Sequence, residues 1–300
     1  MMAQGDARGT SAFVLEESPQ AKRAFRPLGG SLWEGVEGPA VDAASEGYAK
    51  ANAGYWTARA ESYSDQHQGE LSSWQRDAWA QEFKAHLSYL GSKTGERPRA
   101  LDVGCGPGFF SIILAQLGCD VCAVDYTPAM LAQARANAGA AGTDLRFFQM
   151  DAQALDFPDE SFDLVVSRNL TWNLPRPDAA YREWTRVLKP GGLLLNYDAN
   201  WYAYLGSGEK LRAWEEDRAR TAREGVRDRC MLGDPAAMEA IAQEAPATRL
   251  ARPAWDVQVL EGLGLPVVVD LRISERVWTK EELVSQASTP LFGVYAQKLS

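Results

Sequence analysis

Between residues 99 and 201, short apolar runs alternate with longer segments of helical periodicity. The apolar runs predict five strands, at residues 100–103, 121–124, 145–150, 162–166 and 193–197. Helices are predicted between them at 109–117 and 178–188, and a third begins where Thr127 is a suitable N-cap and Pro128 a suitable first residue. Strands that alternate with helices are typical of βαβ units, so the pattern predicts a parallel sheet.

The sequence on either side of this region predicts three further segments. Residues 1–45 are rich in Gly, Ser, Pro and Ala and predict a flexible arm. Residues 46–98 have helical periodicity and predict an N-terminal helical lid, with a helix at 81–90 that ends in a loop at 91–98. Residues 99–300 then form one domain, into which mixed-charge helical sequence at about 206–250 is inserted as a cap.

The C-terminal part returns to the alternating pattern. A helix is predicted at 255–263, a long strand at 267–277 and a last strand at 292–298.

Composition narrows the possible partners and the compartment. Lys and Arg total 31 against 40 Asp and Glu, and the net charge of −9 disfavours nucleic acid and anionic membranes as partners. Four cysteines in 300 residues are too few for a disulfide scaffold, and neither a signal peptide nor an apolar run of about 18 residues is visible. A cytoplasmic protein is therefore expected. Cys119 and Cys122 have the CxxC spacing, but residues three apart on a strand point to opposite faces, so no metal site is expected.

The most informative segment is residues 101–109, Leu-Asp-Val-Gly-Cys-Gly-Pro-Gly-Phe, where a strand leads through three glycines into a helix. Glycines there permit positive φ and let a ligand approach the backbone closely. The second predicted strand ends at Asp125, 22 residues beyond Val103, where a carboxylate is placed to accept the hydroxyls of a ribose. The segment therefore predicts a nucleoside site at the carboxyl ends of the strands.

The charge of Asp102 indicates which nucleoside. The glycines are spaced GxGxG, whereas dinucleotide-binding loops have GxGxxG, and Asp102 stands two residues before the first glycine. A carboxylate repels a pyrophosphate and attracts a cation. S-adenosylmethionine (SAM), which has a sulfonium and an ammonium group, fits this pattern.

With these residues the chain resembles the class I SAM-dependent methyltransferases, especially the small-molecule group similar to the quinone-biosynthesis C-methyltransferases. Besides the glycine loop, the resemblance rests on residues 124–127 (Val-Asp-Tyr-Thr), 149–152 (Gln-Met-Asp-Ala), 162–166 (Phe-Asp-Leu-Val-Val) and 187–192 (Val-Leu-Lys-Pro-Gly-Gly). It implies a Rossmann-like, seven-stranded, mostly parallel α/β sheet with helices on both faces. It also implies transfer of the SAM methyl group to a small-molecule acceptor, with S-adenosylhomocysteine (SAH) as the product.

The resemblance also implies a role for each matching residue. Asp102 and the loop would hold the methionine part of SAM, Asp125 the ribose, and Asp151 the adenine amino group. An Arg on the lid helix, Arg59, could pair with the carboxylate of SAM. The full set of implied cofactor-binding residues is Tyr55, Arg59, Tyr63, Asp102, Gly104, Cys105, Gly106, Gly108, Asp125, Tyr126, Met130, Asp151, Ala152, Gln153, Arg168 and Asn169.

Several of these residues also have a purely structural interpretation. Asp151 could cap the loop after the third strand, Met130 could simply fill helix packing, and Tyr55 and Tyr63 could be ordinary packing aromatics. For the acceptor side, the residues after strands four and five could form structural turns, but they border the expected acceptor pocket. Contact with substrate is therefore predicted for Trp172, Asn173, Asn200 and Trp201.

In-line methyl transfer chiefly requires the acceptor to be held behind the methyl carbon with water excluded. A base matters only for a protonated acceptor, and His67 and Asp198 are the catalytic candidates for that role. The methylated atom (O, N, S or C) stays open. Two alternatives also remain: an NAD-dependent oxidoreductase, which the loop spacing and Asp102 disfavour, and a SAM-binding module without catalysis.

Overall fold

The structure is a computed structural model that describes residues 43–94, 97–228 and 233–299. The predicted arm at 1–45 lies outside the described residues except for its last three, which begin helix α1 (Ala43–Leu71). Helix α2 (Trp74–Thr94) follows, so the predicted helix at 81–90 is longer at both ends and the loop expected from residue 91 begins later. The two helices occupy the segment for which a lid is predicted.

Seven strands form one sheet, as predicted. They are β1 (Arg99–Val103), β2 (Asp120–Asp125), β3 (Arg146–Gln149), β4 (Phe162–Arg168), β5 (Leu188–Asp198), β6 (Val267–Asp270) and β7 (Phe292–Gln297). Their order is β3-β2-β1-β4-β5-β7-β6. Strands β1 to β5 pair in parallel, and β7 runs antiparallel to both of its neighbours. The mostly parallel Rossmann-like sheet is therefore confirmed.

The remaining helices connect these strands. They are α3 (Phe109–Gln116), α4 (Pro128–Ala140), α5 (Pro177–Val187), α6 (Gly208–Glu224), α7 (Pro235–Glu244), α8 (Ala254–Gly262), α9 (Ile273–Val277) and α10 (Lys280–Ser285). Helices α6 and α7 lie in the segment predicted as a cap. None of the helices in the described ranges is both long and apolar enough to cross a membrane.

Apolar side chains fill both faces of the sheet. On one face Leu101 packs with Trp184 of α5 and Leu260 of α8, and on the other Trp79 of α2 packs with Phe110 of α3. Cys122 belongs to the first cluster and Cys119 to the second, so the two thiols lie on opposite faces, as their spacing predicts. Among residues 43–94, 97–228 and 233–299, no group of His, Cys, Asp and Glu has the arrangement of a metal site.

The long strand predicted at 267–277 is wrong. Strand β6 ends at Asp270, whose Oδ1 accepts a hydrogen bond from the Arg272 amide at 2.8 Å and closes a turn. The chain then enters α9, where Ile273 and Val277 are fully buried at helical spacing. Their spacing of four residues fits a helix as well as it fits one face of a strand, and the turn decides between them.

Candidate functional site

A cavity of about 130 Å³ opens at the carboxyl ends of β1, β2 and β4. This is the place predicted for a nucleoside in a doubly wound sheet. Of the predicted site residues, the structure brings together on its lining Tyr63, Gly104, Gly106, Asp125, Tyr126, Met130, Asp151, Ala152, Gln153, Arg168, Asn169 and Asn173.

The glycine loop has the backbone conformation that its composition predicts. Gly104, Gly106 and Gly108 have φ values of 67°, 52° and 91°, all in the left-handed region. A Cβ on Gly104 would lie 2.6 Å from Cδ2 of Leu170, which also lines the cavity. Cys105, which lies between Gly104 and Gly106, is buried against Ala123, and burial raises the pKa of its thiol well above the usual value. The cysteine therefore packs the loop and is not a nucleophile.

Gly104→Ala should weaken nucleoside binding at least about tenfold, because the new methyl group displaces Leu170 at the cavity. Its backbone cost is about 1–2 kcal/mol in unfolding free energy. Gly142→Ala is the matched control, since Gly142 has a similar φ of 65° and no atom lies within 4 Å of the point that a Cβ would occupy. Equal loss of ligand affinity in the two variants, measured by calorimetry, would contradict a direct role for the Gly104–Leu170 approach.

Asp125 joins the loop to the start of α4. Its Oδ2 accepts from the Gly106 amide at 2.9 Å, and its Oδ1 accepts from the Thr127 amide at 2.8 Å. Burial raises the pKa of Asp125, although these two amides lower it. The Thr127 side chain makes no capping hydrogen bond, contrary to the predicted hydroxyl cap. The carboxylate thus orders both edges of the cavity where a ribose is expected.

Asp102 lies deeper, on a second cavity of about 30 Å³ that it shares with His67 and Arg168. Its side chain is 2% exposed and accepts a hydrogen bond from the Ser111 hydroxyl. Burial raises the pKa of Asp102 to about 7, against the opposing effect of Ser111. A carboxylate that loses solvation in this way favours a cationic partner.

The structure does not support His67 as a general base for an acceptor. Its ring lies between Tyr63 and Phe109, with ring centroids 4.4 and 5.5 Å away, and it lines the smaller cavity beside Asp102. Burial lowers the pKa of His67 to about 4, so the imidazole is neutral near pH 7.

Tyr55 and Arg59 do not reach the cavity of Asp125, which corrects their predicted role. They line a separate cavity of about 460 Å³ between α1 and α7. Arg59 donates from Nη1 to the Ser62 hydroxyl at 2.9 Å. Only Tyr63, of the three predicted aromatic and basic residues on this helix, faces the nucleoside cavity.

The structure places Asp198, the other predicted catalytic base, inside the protein and away from the nucleoside cavity. The carboxylate is fully buried, pairs with Arg252 Nη1 at 2.8 Å and accepts from the Thr171 hydroxyl and the Trp172 amide. It therefore belongs to a closed internal network, and it is not on the lining of the cavity.

Three of the four predicted substrate residues also have structural roles. Trp172 packs on Tyr202 with ring centroids 5.1 Å apart, and Trp201 packs on Trp278 at 6.1 Å. Asn200 donates from Nδ2 to the Arg252 carbonyl at 2.8 Å. None of the three is on the lining of the nucleoside cavity, and their contact with an acceptor stays a prediction.

Asn173 does line the cavity, and α1 holds it there. Tyr48 donates its hydroxyl hydrogen to Asn173, and Asn173 donates from Nδ2 to Oδ1 of Asn52 at 2.8 Å. Asn52 and Trp56 line the same cavity, although the sequence did not single them out. Their spacing of four residues on α1 is the signal that could have found them.

The chain is similar to known methyltransferases. A methyltransferase domain family matches residues 101–196. The demethylmenaquinone methyltransferase of Thermus thermophilus is 40% identical over 99 residues, which are 32% of this chain and 45% of that protein. The phosphatidylethanolamine N-methyltransferase of Cereibacter sphaeroides is 37% identical over 133 residues, 43% of this chain and 62% of that protein. The chain therefore spans less than two thirds of the length of both of these curated relatives.

Solved structures share the fold. The plantazolicin methyltransferase BpumL, solved with a triazolic desmethylPZN analogue and SAH, aligns over 85% of this chain and 100% of its own length, with 14% identity and a TM-score of 0.53. The CurJ carbon methyltransferase covers 78% of this chain and 58% of its own, with 14% identity and a TM-score of 0.50.

Proposed function

We propose that this chain, whose residues 101–196 match a methyltransferase domain family, binds SAM at the ends of β1 and β2 and transfers the methyl group to a small-molecule acceptor. The observation that carries the proposal is the pair of carboxylates there. Asp102 is buried beside the glycine loop, and Asp125 lies 22 residues beyond Val103 on the neighbouring strand. Asp102 can bind the cationic amino acid part of SAM, and Asp125 can bind its ribose.

The described residues fit the cofactor. Asp102 offers the ammonium a carboxylate that lacks solvation, and Asp125 offers the ribose an oriented acceptor. Met130 and Tyr126 flank the place for the adenine, which Asp151 borders. Asp151 also accepts from the Gln153 amide at 2.9 Å, so its structural and binding roles are compatible.

SAM supplies an electrophilic methyl group on its sulfonium. The chain then has to hold the acceptor and exclude water. Trp56 and Leu174 give the cavity an apolar wall, and the amides of Asn52 and Asn173 give it polar groups. The lining carboxylates in the described part of the chain are Asp125 and Asp151, both proposed to face the nucleoside. Positioning is therefore the main catalytic contribution that we propose.

The relatives suggest the acceptor class. One is named a demethylmenaquinone methyltransferase, one a ubiquinone biosynthesis O-methyltransferase and one a phosphatidylethanolamine N-methyltransferase. We propose an acceptor with an apolar part, which suits the wall of Trp56 and Leu174. The cytoplasmic location expected from the cysteine content stays a prediction.

Calorimetric titration with SAM, SAH and NADH tests the cofactor. SAM and SAH should bind and NADH should not. The activity is tested by SAH release in the presence of a metabolite extract, with Asp125→Ala as the inactive control. Binding of NADH alone would favour the oxidoreductase, and SAM binding without SAH release would favour a non-catalytic module.

A further inference from the structure

The imidazole of His67 is buried without a polar partner. Its side chain is 5% exposed, and neither Nδ1 nor Nε2 has a hydrogen-bond partner among the described residues. Tyr63 and Phe109 pack against the ring and fix its plane. Buried polar atoms are nearly always hydrogen-bonded, and leaving one unsatisfied is costly. The two nitrogens therefore indicate a ligand.

The guanidinium of Arg168 also has a nitrogen atom without a hydrogen-bond partner among the described residues. Arg168 donates from Nη1 to Glu70 Oε2 at 2.8 Å, but its Nε has no partner in the described part of the chain. Its guanidinium carbon lies 4.9 Å from the Phe109 ring centroid, so the same aromatic ring orients both His67 and Arg168. The N–H groups of a guanidinium and the one N–H group of a neutral imidazole can donate hydrogen bonds to an anion.

Both side chains line the small cavity that contains Asp102. Tyr63, Gly104, Gly106 and Arg168 line this cavity and the nucleoside cavity alike, so the two adjoin. One end of the site thus combines a carboxylate for a cation with donors for an anion. An α-amino acid in its zwitterionic form has both charges on adjacent groups.

We propose that His67 and Arg168 bind the α-carboxylate of the methionine part of SAM, while Asp102 binds its ammonium. This inference rests on the proposed function. It replaces Arg59, the residue predicted from the sequence, because Arg59 lines the cavity on the other side of α1. His67 is then a cofactor-selecting residue that distinguishes the amino acid end of SAM from an amine.

The test compares SAH with its decarboxylated form, the S-adenosyl thiopropylamine, by calorimetry. The wild-type protein should prefer SAH, and the ratio of the two dissociation constants should fall about tenfold in His67→Phe. His67→Asn keeps an N–H donor and should recover part of the ratio. Arg59→Gln tests the rival assignment and should leave the ratio unchanged.

A second measurement does not depend on a folded variant. The chain has two histidines, so the imidazole nitrogen signals of His67 can be resolved by NMR in the wild-type protein. SAH should shift them, and the decarboxylated ligand should not. An unchanged ratio in a folded His67→Phe, a collapsed ratio in Arg59→Gln, or equal NMR shifts with both ligands would overturn the inference. Failure of the wild-type protein to bind either ligand would instead count against the proposed function.

Discussion

Asp102→Asn is expected to weaken SAM binding about 100-fold, which corresponds to about 3 kcal/mol. The wild-type carboxylate is buried at the glycine loop with the Ser111 hydroxyl as its donor, and the ammonium of SAM would be its charge partner. The amide keeps the shape and loses the charge. Calorimetry with SAM and SAH measures the effect, which should be similar for both because both have the ammonium. Binding as tight as in the wild type would contradict the assignment.

The same carboxylate predicts how SAM affinity depends on pH. Burial raises the pKa of Asp102 to about 7, and only its ionised form attracts the ammonium. Affinity should therefore fall as the pH drops below about 7 and level off above it, and Asp102→Asn should lack this dependence. Ser111→Ala removes a group that lowers this pKa, so the midpoint should move to higher pH. A wild-type affinity that is flat between about pH 5 and 8 would exclude this charge pairing.

The stability of the ligand-free protein should change in the opposite direction. A raised pKa means that the native state holds a proton that the unfolded state has already lost between about pH 4 and 7. The contribution of Asp102 to the free energy of unfolding is thus present at low pH and is lost as the pH rises to about 7. Asparagine does not ionise, so Asp102→Asn should not lose stability as the pH rises. Urea unfolding above pH 7 should therefore show the variant to be more stable than the wild type.

Local signals in the sequence predict most of the fold and the cofactor end of the site. The relative position of the glycine loop at residues 101–109 and of Asp125 is predictable from the sequence. Each follows one of two adjacent parallel strands, and such strands end at the same edge of the sheet. The turn at Asp270 is not predictable because the alternation of apolar and polar residues continues through it, and a spacing of four residues does not distinguish a helix from one face of a strand.

The acceptor side was less predictable because its contacts are distant along the chain. Asp198 looked like a base after β5, and only the fold reveals Arg252, 54 residues later, as its partner. The orientation of α1 was also not determined by its own sequence. Tyr55, Arg59 and Tyr63 lie within two turns, but packing directs the first two toward α7 and the third toward the glycine loop. Such choices depend on tertiary packing, which helical spacing alone does not encode.

Arg252→Met is expected to lower the free energy of unfolding by about 3–5 kcal/mol. The guanidinium lies between two fully buried carboxylates, 2.8 Å from Asp198 and 2.8 Å from Asp256. It also donates to the Thr171 hydroxyl at 2.6 Å. Methionine fills a similar volume and leaves both carboxylates buried without their cation, which is the costly way to break a buried pair. Urea unfolding measures the change.

Arg272→Met is the matched control, because Arg272 pairs with Glu275 on the surface, where the two side chains are 77% and 53% exposed. That pair is screened by water, and its loss should leave the unfolding midpoint unchanged. Adding Asp198→Asn and Asp256→Asn to Arg252→Met should recover part of the stability, since it removes the unpaired charges. In the single variant, the amides of Thr171 and Trp172 should exchange hydrogen faster, because Asp198 accepts from this segment and Arg252 holds Asp198. A single variant within about 1 kcal/mol of the wild type would show that the network does not hold the loop that carries Asn173 at the cavity.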